Sequence, residues 1–411
     1  MTAEVVVVGG GPAGLSAAIA LRRRGLGVVV LEREARAGGI PRHADHPGFG
    51  LRDLHRVLSG PAYAERLRTL ALRAGVELRE GATVTGWRAD GALEVTAPSG
   101  RVALAPAAVL LATGCRERPR AARRIPGTRP AGVMTTGTLQ QLVHLEHRRV
   151  GERALVIGAE HVSFSAIETL HQGGARTLAL VTEHARHQSL AAFRAGARIR
   201  YGTPVWTATR LVEILGAARV EAAVLEDLVT GARRTVACDT VVVSADWIPD
   251  HELAVTRGCD LDPGSRGPRV DASGQTSAAG VWAAGNLVHP AETADVAALG
   301  GRHVAAALAT ATGGRPARVP VTAHQPLLWV SPGAVGDRGA PPRGRFLVRA
   351  RIGLEHPRLH VAQGERELWS GRLLRLIPGR SASVPAGWTS DVDLAGPPVE
   401  VRVLSARRTW A

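Results

Sequence analysis

Apolar positions along the chain fall into two patterns. Short, largely apolar runs occur at residues 5–8, 28–31, 107–112, 154–157, 177–181 and 241–243. Runs of that length between turn residues read as parallel strands buried on both faces. Segments 12–21 and 161–170 separate two pairs of these runs and predict helices, so two βαβ units are expected. Later the pattern changes. Residues 345–352, 358–363, 367–377 and 399–405 alternate apolar with polar and are divided by Gly and Pro, which predicts a small antiparallel β unit. The Gly- and Pro-rich stretch 313–326 reads as the linker before it. The fold class is therefore α/β with a C-terminal β-rich unit.

The first βαβ unit carries chemistry. After Val5–Val8 come Gly9, Gly11 and Gly14 in G-x-G-x-x-G spacing, and a second strand ends at Glu32. The first glycine allows the tight turn, the second lets main chain approach a pyrophosphate, and the third lets helix and strand pack closely. Pro12 and Ala13 open the helix, where a missing N–H costs nothing. The pyrophosphate is expected at that helix N-terminus and the ribose hydroxyls at Glu32. A second glycine loop, Gly38-Gly39, suits a ligand that runs on past its adenosine.

The second unit, "ALVIGAEHVSFSA" at 154–166, has one glycine of the three. Gly158 is present, but Glu160 and Ser163 stand where the others belong, and Glu183 ends the following strand where a ribose-binding acid would sit. A carboxylate ~4–5 Å from a phosphate charge repels it by roughly 3–4 kcal/mol at an effective dielectric near 20. The fold of a nucleotide domain is expected here, with NAD(P)H disfavoured as the working electron donor.

Composition narrows the partners. Hydrophobic residues make up 45% and aromatics only 3%, so Ala, Val and Leu must build the cores. All 51 basic residues are arginine and the net charge is +15, but the arginines are spread along the chain. A solvated basic surface is expected rather than nucleic-acid binding. Cys115, Cys238 and Cys259 lie far apart with no CxxC, so no redox disulfide and no metal site are expected. Inert thiols, no signal peptide and no apolar run of ~20 residues suggest a cytoplasmic chain without a transmembrane segment.

The fingerprint at 9–14, Ala112-Thr113-Gly114 after a strand, and the Gly285-Asn286 turn before an Ala-rich helix resemble the two-dinucleotide-binding-domain flavoproteins, the pyridine nucleotide–disulfide oxidoreductase superfamily. The resemblance spans roughly residues 1–316. It implies an FAD-binding domain at 1–118 and 249–316, an inserted Rossmann-like NAD(P)-binding domain at 119–248, and the β-rich domain at 317–411. It implies FAD along Gly9, Gly11, Pro12, Ala13, Gly14, Glu32, Arg33, Gly39, Ile40 and Arg42, with adenine near Thr83 and Val84. Ala112, Thr113 and Gly114, and the ribityl-binding Gly285 and Asn286, would complete the pocket. The helix after Thr293 and Ala294 would point at the flavin pyrimidine. Asn286 stands where the superfamily usually has Asp, and a glycine is usual near Asp246 or Trp247. Arg42, His43 and His46 would lie beside the isoalloxazine, or in a plain surface loop.

Segments 114–143, 158–175 and 285–308 resemble, more narrowly, the alpha-type FAD/NAD(P)-binding subunits of heteromeric dye-linked dehydrogenases. That implies a partner, a second flavoprotein dehydrogenase subunit, with an amine, amino acid or glycerol 3-phosphate being the substrate of the assembly. Two alternatives stay open: a self-sufficient NAD(P)H-dependent flavin oxidoreductase, and a non-catalytic nucleotide-binding scaffold. No catalytic side chain is singled out. Trp329, Trp369 and Trp388 suggest a docking role for the C-terminal unit.

Overall fold

A computed structural model describes residues 4–311, 317–337 and 339–408. The chain forms two compact units. One consists of residues up to Arg42, Pro47–Cys115 and Ile248–Arg408; the other consists of His43–His46 and Arg116–Trp247. The second unit is thus inserted in the first, and the C-terminal β region clusters with the first.

The first unit is built on a five-stranded parallel sheet in the order Val281–Ala283, Ala108–Leu111, Val5–Val8, Val28–Glu32, Glu77–Glu80. Val5, Val7, Val28, Val30 and Leu110 enter the core on one face, and Val6, Val8, Val29, Leu31 and Leu111 enter the core on the other. Strand side chains alternate faces, so a strand covered on both sides must be apolar at every position. That is why the strands at 5–8, 28–31 and 108–111 appear in the sequence as unbroken runs, while the edge strand Glu77–Glu80 does not.

Helix Pro12–Arg22 packs on one face through Leu15, Ala18 and Ile19, beside helix Ala294–Ala309. The two helices approach closely at Gly301, and the first helix is held equally tightly against its own turn at Gly14. A Cβ on Gly301 would lie 2.1 Å from the Ala13 carbonyl oxygen, and one on Gly14 would lie 1.9 Å from the Gly9 oxygen.

The C-terminal region contains two sheets around one core that includes Val321, Phe346, Val348, Leu359, Val361 and Val401. The larger sheet pairs Leu354–Gln363 antiparallel with Val399–Arg408 and Arg366–Arg372. The smaller one has the order Leu327–Ser331, Arg345–Ala350, Ala382–Pro385. Two expectations need correction. Most of the supposed linker is structured: Arg318–Ala323 is a strand whose Val321 pairs with Val399 in parallel, and only 313–316 lie outside the described residues. Its Pro320 did not prevent strand formation. The tryptophans do not form a docking surface either. Trp329 is 1% exposed and Trp388 is 3% exposed, with Trp388 packed on Phe346 at a centroid distance of 4.7 Å. Trp369 is half-buried against the same core.

The second unit repeats the parallel plan. Its sheet runs Val133–Thr135, Thr240–Val243, Arg153–Ile157, Arg176–Val181, Val205–Trp206. Helix His161–Gln172 follows the central strand and buries Phe164, Ile167 and Leu170.

Gly301→Ala tests the helix crossing. Overpacking of this kind costs about 1–3 kcal/mol, so the variant should unfold at lower urea concentration with an unchanged slope. An unchanged midpoint would show that the helices can separate freely.

Candidate cofactor site

The first-unit turn leaves bare main chain where a diphosphate would lie. Gly9 adopts φ +105°, and a Cβ there would meet the Ala112 oxygen at 2.5 Å, so the fingerprint and the 112–114 turn are in contact. Gly11 is different. A Cβ at Gly11 would meet only Gly39 Cα, at 3.9 Å, while one at Gly39 would approach Gly11 Cα at 2.9 Å. Packing forbids a side chain at Gly9 and Gly14 but not at Gly11, which instead keeps one side of a cradle open. Gly11 is the N-cap of helix Pro12–Arg22, no side chain caps it, and the first turn holds no acid. The free N–H groups and helix dipole therefore offer an anion site.

Glu32 is fixed beside this cradle. Its carboxylate accepts from the N–H of Gly10 at 2.7 Å and of Glu34 at 2.8 Å. A carboxylate has about four lone-pair sites, so two backbone bonds orient it and leave capacity for vicinal ribose hydroxyls. The Ala82 N–H donates to the Glu32 carbonyl at 2.8 Å, which brings strand Thr83–Trp87, with Thr83 and Val84, next to the ribose position. Arg33 is exposed and reaches Asp250 at 3.9 Å. Ile40 is 45% exposed, and the Arg42 stem folds over Gly38. Thr113 donates to the Asp250 carbonyl at 2.7 Å and Gly114 accepts from the Asp250 N–H at 3.0 Å.

The far end of the cradle is closed by residues 285–296. Gly285 has φ +72°, and a Cβ there would lie 2.7 Å from Ala13 Cβ. Asn286 is more committed than a simple ribityl ligand would be: its Nδ2 donates to the Glu292 carbonyl at 3.1 Å and its Oδ1 accepts from the Glu292 N–H at 3.0 Å. The amide still has a second N–H and a second lone pair. Thr293 is the N-cap of helix Ala294–Ala309. Residues 43–46, including His43 and His46, belong to the second unit.

Sequence reasoning missed the carboxylates under this end. Asp295 is buried in the first helical turn, accepts from the Thr293 hydroxyl and the Val296 N–H, and has Arg52 at 3.8 Å. Asp53 is also buried; it accepts from the Tyr63 hydroxyl at 2.7 Å, with Arg302 at 3.8 Å, and its Oδ1 has no hydrogen-bond partner. Burial pushes the Asp53 carboxyl up; Tyr63 and Arg302 pull it down, and Asp295 adds to the rise. No sequence motif marks either residue, because each is defined by what packs over it.

The second-unit turn is organised in the opposite way. Glu160 is the N-cap of helix His161–Gln172 and forms a capping box with Ser163. The Glu160 N–H donates to Ser163 Oγ at 3.2 Å, and that hydroxyl donates to Ser244 Oγ at 2.9 Å. The hydroxyl also takes the third-glycine space, since a Cβ on Gly158 would meet Ser163 Oγ at 2.8 Å. The protein thus supplies its own carboxylate where a diphosphate would rest. Arg123 donates to the carbonyls of Ser244 at 2.8 Å and Ala245 at 2.5 Å, and it lies within electrostatic reach of Asp246, Glu117 and Glu160. Buried Glu117 accepts from the N–H groups of Gly137 at 2.8 Å and Ala245 at 2.9 Å, and burial pushes its carboxyl up. These bonds hold Ala245 and Asp246 in the left-handed region, φ 64° and 55°, where a glycine would be expected. Beside this turn a pocket of about 150 Å³ is lined by Arg124, Ile157, Val181, Leu211 and Glu183.

Two Rossmann-like units, one inserted in the other, with a bare glycine cradle and a strand-end acid in the first, define a dinucleotide-binding flavoprotein fold. The family model described as pyridine nucleotide-disulphide oxidoreductase matches residues 3–322, and the chain belongs to that family. Its members are FAD-binding, and the first site fits FAD. A thioredoxin reductase of Treponema pallidum is 28% identical over 294 residues, 69% of this chain and 88% of that protein. The opine oxidase A subunit of Agrobacterium tumefaciens is 24% identical over 393 residues, 86% of this chain and 72% of that protein. Among solved structures, the T. acidophilum thioredoxin reductase superposes with a TM-score of 0.63 at 22% identity, covering 75% of this chain and 98% of its own. An NAD-dependent persulfide reductase from A. fulgidus, at 20% identity and a TM-score of 0.58, covers 93% of this chain and 71% of its own. At those identities the structures establish the fold alone. Among the described residues no helix is long and apolar enough to cross a membrane, and no group of His, Cys, Asp and Glu side chains could hold a metal ion.

The Asp53 environment predicts a pH dependence. A carboxyl raised on folding holds its proton more tightly in the folded chain, so its ionisation opposes folding. That penalty is absent below the unfolded value of ~4, grows as pH rises from there to the folded value, and is constant above it. Asp53→Asn should therefore stabilise the chain at pH 8 in urea unfolding, with the gain vanishing toward pH 4. A gain of equal size at both pH values would contradict the assignment.

Proposed function

We propose that this chain is the FAD-bearing redox subunit of a multi-subunit dehydrogenase, exchanging electrons with a partner flavoprotein subunit that oxidises an amine, amino acid or glycerol 3-phosphate. The observation that carries the proposal is the contrast between the two turns. Gly11 leaves the first helix N-terminus open to a diphosphate, while Glu160 places a carboxylate-bearing residue at the N-cap of the second. The similarity to an opine oxidase A subunit over most of this chain supports the subunit reading.

FAD, when bound, supplies two-electron redox chemistry. The chain's residues bind and orient it. Helix Pro12–Arg22 and Gly11 would hold the diphosphate, Glu32 the ribose, and Gly285 with Asn286 the ribityl chain. The first turn of Ala294–Ala309 would face the pyrimidine edge. There Asp295 offsets the positive end of the helix dipole. None of the three buried cysteines lies in a short-spaced pair, so the chain is not read as a disulfide reductase despite its thioredoxin reductase relatives.

A second reading has one observation in its favour. The pocket at Glu183 has aliphatic walls at Ile157, Val181 and Leu211 and could seat an adenosine. A self-sufficient NAD(P)H-dependent oxidoreductase would then need the Glu160 carboxylate to turn away.

Anaerobic mixing with NADH or NADPH separates the readings. The flavin absorbance of the parent should bleach slowly at sub-millimolar pyridine nucleotide. Glu160→Gly should bind NADH about a hundredfold more tightly, as expected from removing a carboxylate roughly 4–5 Å from a phosphate charge. Rapid bleaching of the parent, or equal NADH affinity in the variant, would overturn the proposal.

A further inference from the structure

We infer that the C-terminal β unit is a clamp on the cofactor loop 286–293 and that Glu292 is the positioning residue through which it acts. The inference rests on FAD occupying the first site.

The loop joins the turn Gly285–Leu287 to helix Ala294–Ala309 and so sets where that helix begins. It is not self-supporting. Ala291 sits at φ 72°, in the left-handed region, without being glycine. Such a conformation persists only where the surroundings over-determine it. The adjacent Glu292 is held at every polar group. Its N–H and carbonyl are tied by the Asn286 amide at 3.0 and 3.1 Å. Its carboxylate accepts from the Ser381 hydroxyl and lies 3.7 Å from Arg349 Nη2. Arg349 in turn donates to Ser381 Oγ at 3.3 Å. The Glu292 and Arg349 side chains are only 14% and 8% exposed, so their attraction is little screened by solvent.

A second grip lies three residues earlier. His289 stacks on Trp329 at a centroid distance of 5.7 Å and 30° between planes, and the Arg349 guanidinium lies 5.1 Å from the same indole centroid. Burial pushes the His289 imidazole below its usual value, which favours a neutral ring in that stack. Trp329, Arg349 and Ser381 all come from the three-stranded sheet or its immediate flank. One small sheet therefore grips the loop twice, at His289 and Glu292. The same Glu292 main chain then occupies the Asn286 amide, whose remaining hydrogen-bonding capacity is what a ribityl chain would use. The grip thus reaches the expected flavin site through two residues.

The test uses the full chain with Glu292→Gln, which keeps the shape and loses the charge, Arg349→Met, Arg349→Lys, and the double variant Glu292→Gln/Arg349→Met. Hydrogen exchange across 286–296 is measured on the FAD-free protein, and the FAD dissociation constant by flavin fluorescence. Charge-assisted bonds of this kind predict about tenfold faster exchange confined to 286–296 and about tenfold weaker FAD binding in Glu292→Gln and Arg349→Met. Arg349→Lys should fall between these variants and the parent. The double variant should fall short of the sum of the two single effects, because the Glu292–Arg349 attraction is already lost in either one. Exchange and affinity within about twofold of the parent would overturn the clamp. So would a loosened loop with unchanged FAD affinity, or exchange that rises equally through the C-terminal strands. If the parent itself bound no FAD, the FAD-subunit proposal would fail, and exchange alone would decide whether the loop is clamped.

Discussion

The first unit depends on close approaches to bare main chain at four glycines around the fingerprint turn. Gly9, Gly14, Gly285 and Gly301 each lack a side chain because another residue's backbone or Cβ already occupies that space. Strand, turn and two helices therefore converge without side chains between them. Gly11 is the exception that gives the arrangement a use, because nothing in the protein fills its open side. A site of this kind is made by what the packing leaves empty, and the helix N-terminus behind it gives the empty space a preference for anions.

The second unit shows what happens when the same architecture keeps its packing and changes its turn. Strand and helix still meet at Gly158, but the helix N-terminus is satisfied from within by Glu160 and Ser163. The substitution that damages the fingerprint also completes a hydrogen-bond network through Ser244 and Thr136. An external diphosphate would meet a carboxylate at the N-cap and a Ser163 hydroxyl already committed to the Glu160 N–H and to Ser244, so repulsion and crowding act in the same direction.

Much of this was legible in the sequence because it follows from periodicity and steric need. Doubly buried strands must be apolar throughout, and a glycine forced by backbone contact leaves a fixed spacing. The C-terminal unit is less legible. Arg318–Ala323 has the Pro and preceding glycines of a linker, yet it pairs antiparallel with Ala334–Gly336 through Pro320 and parallel with Val399–Arg408 from Val321 onward. Trp329 and Trp388 stood out as large aromatics suited to a partner surface, but a chain with so few aromatics uses them as core volume. Asp53, Asp295 and Glu292 were not legible. Their roles come from burial by segments distant in sequence, and no local pattern encodes that.

Two left-handed alanines share one device. Ala245 in the second unit and Ala291 in the first stand where backbone geometry favours glycine. Each is held by charged side chains that reach its neighbours: Glu117 and Arg123 at Ala245, and Arg349 with Ser381, through Glu292, beside Ala291. A glycine would relax the strain but leave the segment free to move. An alanine with ionic supports fixes one conformation and makes it depend on residues far away in the chain. In the second unit those supports reinforce the turn in which the carboxylate cap sits. In the first they set the entry to the helix expected at the flavin. The same device thus fixes one turn in each unit, the turn beside the Glu160 N-cap and the loop before helix Ala294–Ala309.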